Sequence, residues 1–101
     1  LIVITSFISP FVRDREDARK TVGKDRFIEV HVNASLEECE RRDPKGLYAK
    51  ARAGKIPDFT GISSPYEPPE NPELALDTAD LTADQCVDTL VAYLQGTHLP
   101  G

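Results

Sequence analysis

The chain opens on Leu1-Ile2-Val3-Ile4-Thr5, an aliphatic and β-branched run with no charged residue in it. A strand with one wet face alternates apolar and polar side chains. An unbroken run of this kind is the pattern of a strand covered on both faces, as in a parallel sheet flanked by helices. This one feature rules out most small-domain architectures and predicts an α/β fold. Pro10 ends the run and biases Ser9 towards an extended backbone.

The pattern behind that run agrees. Residues 14–22 read as a polar surface helix ending near Gly23. Residues 26–33 read as a second strand, with Ile28, Val30 and Val32 on one face and Phe27, Glu29 and His31 on the other. Ser35 with Glu38 three positions on is a capping-box pattern and opens a short helix to about Arg42. Lys45 to Gly54 reads as a further helix closed by that glycine. Residues 56–73 form a proline-rich loop too long for a mere connection. Residues 73–78, ELALDT, predict a third strand. Thr82 with Gln85 caps a last helix, whose apolar stripe is Cys86, Val87, Leu90, Val91 and Leu94 and whose end is at Gly96. Strands alternating with helices make a parallel sheet, and three strands read as half of a doubly wound domain.

With 101 residues the chain has room for one small domain and little core in reserve. Its net charge of −5 disfavours general attraction to nucleic acid or to a membrane surface. The charge is unevenly placed. Residues 1–40 hold six bases against eight acids, residues 41–55 six against one, and residues 56–101 none against eight. A local basic site on an acidic body suits a small anion. Lys45, Tyr48, Ala49 and Arg52 occupy neighbouring rows of the basic helix, which leads into the loop carrying Phe59. That face is either solvated or an anion clamp. The Thr5–Pro10 segment, at the carboxyl end of its strand, is either a turn or an anion site.

Cys39 and Cys86 lack metal-ligand or redox spacing and are expected to be reduced core residues of a cytoplasmic protein. His31 and His98 have no evident catalytic partner. Gly-Lys occurs at 23–24 and 54–55, but each lacks the earlier glycine and the following Ser/Thr of a phosphate-binding P-loop. No apolar run approaches the ~18 residues of a membrane span. The chain has no methionine and opens inside a core element, so it is expected to be part of a longer protein.

Four strings, TSFISPF, FIEV, RDPKGLYAKARAGKIPDFTGI and PYEPPENPEL, occur in this order within about Leu1 to Gln95. Together they resemble the C-terminal half of the adenylylsulfate (APS) kinase family. The resemblance implies a P-loop-kinase-like parallel sheet with flanking helices, only its C-terminal half being present. Residues 1–101 would be the C-terminal portion of one kinase domain, with a lid at about 41–73. The implied reaction transfers the γ-phosphoryl of ATP, with magnesium, to the 3′-hydroxyl of APS and gives PAPS, the activated sulfate donor.

By the same resemblance Ile8, Ser9, Lys45, Asp58 and Phe59 contact APS, and Phe59 stacks on its adenine. Asp58 stands where the family usually has glycine. Ser9 matches a serine described as a phosphoserine intermediate, although direct in-line transfer needs only positioning and charge stabilisation. Arg42, Leu81 and Cys86 match positions near ATP, and no residue is assigned to a metal. The family's P-loop belongs to its N-terminal half, so the 101 residues alone are expected to be inactive. A homodimer and a fused ATP sulfurylase are further implied partners. Two other readings stand beside the kinase: a non-catalytic APS-kinase-like regulatory nucleotide-binding domain fused to ATP sulfurylase, and a small α/β interaction module.

Overall fold

A computed structural model of the chain describes residues 1–97. Six elements follow in order: α1 (Val12–Val22), β1 (Val30–Asn33), α2 (Leu36–Arg42), α3 (Leu47–Arg52), β2 (Leu74–Asp77) and α4 (Ala83–Thr97). The two strands pair in parallel, with Val30 opposite Leu74 and Asn33 opposite Asp77. The pairing extends one bond beyond each end, Leu74 N–H to the Glu29 carbonyl and Thr78 N–H to the Asn33 carbonyl. Two strands joined through α2, α3 and a long loop make the expected βαβ-type crossover.

Local chemistry sets the helix boundaries. The Ser35 hydroxyl accepts from Glu38 N–H at 3.1 Å and starts α2. At α4 the box is reciprocal: Gln85 N–H donates to Thr82 Oγ1 and Thr82 N–H donates to Gln85 Oε1. α3 ends in a Schellman motif, with Lys55 N–H on the Lys50 carbonyl and Gly54 N–H on the Ala51 carbonyl. The motif needs a left-handed residue, and Gly54 supplies it at φ +76°. α1 is different. Phe11 offers no capping side chain, and the first helical N–H, of Val12, is instead taken by the carboxylate of Glu67, 55 residues away.

Among the described residues only Ala51 and Leu76 are buried. The radius of gyration is 15.5 Å, against about 13 Å for a closed domain of this length. The apolar surface is therefore largely uncovered: Val32 on β1 and Val87 and Val91 on α4 are exposed.

Several sequence expectations need correction. Residues 1–5 form no strand, and Leu1 to Ile4 are exposed. A strand exists only where another strand takes its hydrogen bonds, and this run pairs with neither β1 nor β2. The sheet thus has two strands, not three. The second strand begins at Val30 rather than Arg26, because its partner β2 begins at Leu74, opposite Val30; before it Phe27 lies under the Arg19 guanidinium and the Glu29 side chain pairs with Arg15. Ser9 is not extended: its φ is +43°, and its carbonyl accepts from the Arg15 guanidinium. Cys39 and Cys86 are free thiols, as expected, but half-buried rather than in a core. α4 runs through Gly96 to Thr97. His98 lies outside the described residues.

Candidate functional site

The carboxyl ends of β1 and β2 open on a cavity of about 340 Å³ lined by Arg42, Thr78, Leu81, Ala83 and Cys86. In open α/β sheets this end is where ligands bind. Three elements build it. β2 ends at Asp77, and the turn that follows is fixed by the Asp77 carboxylate on Ala79 N–H and the Asp77 carbonyl on Leu81 N–H. This places Leu81 at the rim. The capping box of α4 then brings Ala83 and Cys86 beside it. Arg42 arrives from the last turn of α2. Its Nη2 donates to the Thr78 carbonyl at 2.8 Å, its Nη1 to Thr78 Oγ1 at 3.1 Å and its Nε to Glu38 at 2.9 Å. The result is one positive charge held against a small, mainly apolar wall.

Arg41 and Arg42 together draw the Glu38 carboxyl down from 4.5 to about 2, chiefly by hydrogen bonding. Arg52 likewise lowers Glu40, to which it donates at 2.6 Å. These acids answer three of the six bases in 41–55. Lys45, Lys50 and Lys55 are exposed and make no ion pair among the described residues.

Lys45 sits in the tight turn between α2 and α3. Asp43 organises that turn. It closes α2 as C-cap at φ +20°, and its carboxylate accepts from the N–H groups of Tyr48 and Ala49, two of the free donors at the start of α3. Gly46 completes the turn at φ +67°. One aspartate thus fixes the angle between two helices and the position of the lysine between them.

Phe59 is half-buried and meets Tyr48 of α3 edge-on, with ring centroids 5.0 Å apart. Burial, and next the Cys39 thiol, raise the Tyr48 phenol above its ordinary value, so it stays neutral. The loop behind Phe59 closes on itself: the Phe59 carbonyl accepts from Ile62, Ser63 and Ser64, and Ser63 Oγ accepts from Phe59 N–H. Asp58 adopts φ +53°. Glycine takes that conformation without strain, whereas aspartate merely tolerates it.

The structure therefore groups Arg42, Leu81 and Cys86 around one cavity and leaves Lys45, Asp58 and Phe59 on the α3 flank. Ile8 is exposed and Ser9 half-buried in the segment before α1. That segment is anchored: Glu67 N–H donates to the Pro10 carbonyl, and Arg15 reaches both the Ser9 and the Glu67 carbonyls. Sequence reading missed two features. Thr78 lines the cavity and holds Arg42; its place just after an apolar strand was the available signal. The Arg15, Arg19, Glu29 and Glu73 network, which ties α1 to both strands, had no short-range signal. Among the described residues no group of three or more His, Cys, Asp or Glu side chains stands close enough to hold a metal ion. No described helix is long and apolar enough to cross a membrane.

A family model for adenylylsulphate kinase matches residues 1–77. The chain belongs to the adenylylsulphate kinase family. It is 60% identical over 99 residues to the adenylyl-sulfate kinase of Marinobacter nauticus, covering 98% of this chain and 50% of that protein. To the adenylyl-sulfate kinase of Clostridium acetobutylicum it is 55% identical over 95 residues, 94% of this chain and 47% of that one. A solved structure of the Mycobacterium tuberculosis APS kinase CysC in complex with AMPPNP and APS superposes with a TM-score of 0.81 at 48% identity. The match covers 88% of this chain and 52% of that one. The fold class is thus that of the family, and the chain spans about half the length of the curated relatives it matches.

Proposed function

We propose that these residues are the C-terminal portion of a single APS kinase domain, with its lid at about 41–73. The complete protein then transfers the γ-phosphoryl of ATP to the 3′-hydroxyl of APS to give PAPS. The observation that carries this reading is the cavity at the carboxyl ends of β1 and β2, where Arg42, Leu81 and Cys86 meet, in a chain 60% identical to an adenylyl-sulfate kinase.

Phosphoryl transfer asks a protein for positioning and for charge placed where charge develops. In this reading Arg42 supplies a fixed positive group at the ATP side, and Leu81 and Cys86 give the adenine an apolar seat. Lys45 meets the anionic end of APS, Phe59 stacks on its adenine, and Ile8 and Ser9 complete that subsite. Asp58 takes the usual glycine position at a positive φ. Closure of the 41–73 segment excludes water and strengthens each of these interactions. Ser9 needs no covalent role. Magnesium enters with ATP as the counter-ion of its phosphates; the described residues offer it no ligand cluster, and no step is assigned to it. APS, ATP and the remainder of the kinase domain are the partners, with a homodimer as the assembly. A fused ATP sulfurylase is compatible with it. In this reading the reaction runs in the cytoplasm, where its co-substrate ATP is available.

The test is conversion of APS to PAPS by the complete protein in the presence of MgATP. Lys45→Ala is expected to impair use of APS far more than use of ATP. Absence of PAPS formation, with PAPS still bound, would replace the kinase by a regulatory nucleotide-binding domain.

A further inference from the structure

Thr78 stands one residue past β2 and joins three parts of the molecule. Its N–H and its hydroxyl both donate to the Asn33 carbonyl, at 2.9 and 3.0 Å, which locks it to the end of β1. Its hydroxyl and its carbonyl both accept from Arg42, at 3.1 and 2.8 Å. The Thr78 Oγ1 proton goes to Asn33, so its lone pairs are left to face the guanidinium, and the acceptor cannot rotate away without losing the strand bond. Arg42 is otherwise a long side chain on a seven-residue helix, 41% exposed. Unheld, such an arginine samples many rotamers, and ordering it on ligand binding costs free energy. Two fixed acceptors on the sheet and Glu38 on α2 pre-order it at the cavity wall. They occupy one N–H on each of its three nitrogens and leave two of its five N–H donors unused.

From this arrangement we infer that Thr78 is a positioning residue for Arg42, which holds the guanidinium in its nucleotide-competent place through the sheet. Thr78 does not itself need to touch the nucleotide. The inference rests on the ATP-side reading of Arg42 given above.

The experiment compares ATP and APS affinities of the complete protein with Thr78→Val, Thr78→Ser, Arg42→Ala and the Arg42→Ala/Thr78→Val double variant, alongside thermal unfolding of each. Valine keeps the shape and removes the hydroxyl. ATP affinity is expected to fall about tenfold in Thr78→Val, the weight of one hydrogen bond to a charged group. APS affinity is expected to hold, and Thr78→Ser to restore ATP binding to within about twofold. In the Arg42→Ala background the valine is expected to add less than about twofold, because its target is gone. Equal losses for both nucleotides, full additivity with Arg42→Ala, or no rescue by serine would overturn the inference while leaving the kinase reading intact. Unchanged ATP affinity in Arg42→Ala would overturn the ATP-side reading of Arg42 and the inference with it.

Discussion

The chain holds two sets of arginine–glutamate pairs that use the same chemistry in different surroundings. On α2 and α3, Arg41, Arg42 and Arg52 pair with Glu38 and Glu40, and their side chains are 71%, 41% and 57% exposed. Between α1 and the strands, Arg15 and Arg19 face Glu29 and Glu73, and all four are 11–26% exposed. In the second set Glu73 accepts from Arg19 at 2.8 Å and from Glu29 N–H at 2.7 Å. Burial alone would raise the Glu73 carboxyl, but the Arg19 hydrogen bond and the Glu29 N–H hold it below its ordinary value. Arg19 is raised in turn, chiefly by the same hydrogen bond. The half-buried set fixes α1 to the sheet. The exposed set adds little stability, since water and salt screen it; its arginines stay available to a ligand.

The largest test of this contrast is Glu73→Ala. It leaves Arg19 half-buried without its closest acceptor and Glu29 N–H without a partner. A loss of about 2 kcal/mol is expected, below the ~3–5 kcal/mol of a fully buried pair because Glu73 keeps some solvent. Urea denaturation of the complete protein measures it, and a change within error would show that α1 is held by something else. Phe59→Ala is expected to weaken APS binding by ~1–3 kcal/mol if the ring stacks on adenine; an unchanged APS affinity refutes the stacking role.

Asp58→Gly removes a side chain from a left-handed position and is expected to gain stability by up to about 1 kcal/mol. A clear loss would mean that the aspartate makes a contact of its own. The pH dependence separates the two sets. Glu38 and Glu73 both titrate lower in the folded chain than unfolded, so their stabilisation is complete above about 4.5 and is lost as pH falls, for Glu38 towards about 2. Raising salt is expected to flatten the Glu38 part, seen as the difference from Glu38→Gln, and to leave the Glu73 part largely intact. Arg52→Ala is the smallest effect: the denaturation midpoint at high salt is expected not to move.

What the sequence determined by itself is what lies within a few residues. Ser35 and Glu38, Thr82 and Gln85, and Gly54 after its helix each place donors and acceptors three to five positions apart. The backbone hydrogen bonds they control are therefore legible without a fold. The motif strings fixed the family in the same way. Strand order, the unpaired state of residues 1–5, the reach of Glu67 to α1 and the grip of Thr78 on Arg42 were decided by the tertiary structure. Each joins groups 36 to 55 positions apart or requires a neighbour to supply an edge. The residues around Arg42 show both sides. Its charge, its helix and its family match were readable from RRDPKG, whereas its place at the cavity depends on a threonine that only the parallel pairing of β1 and β2 brings within reach.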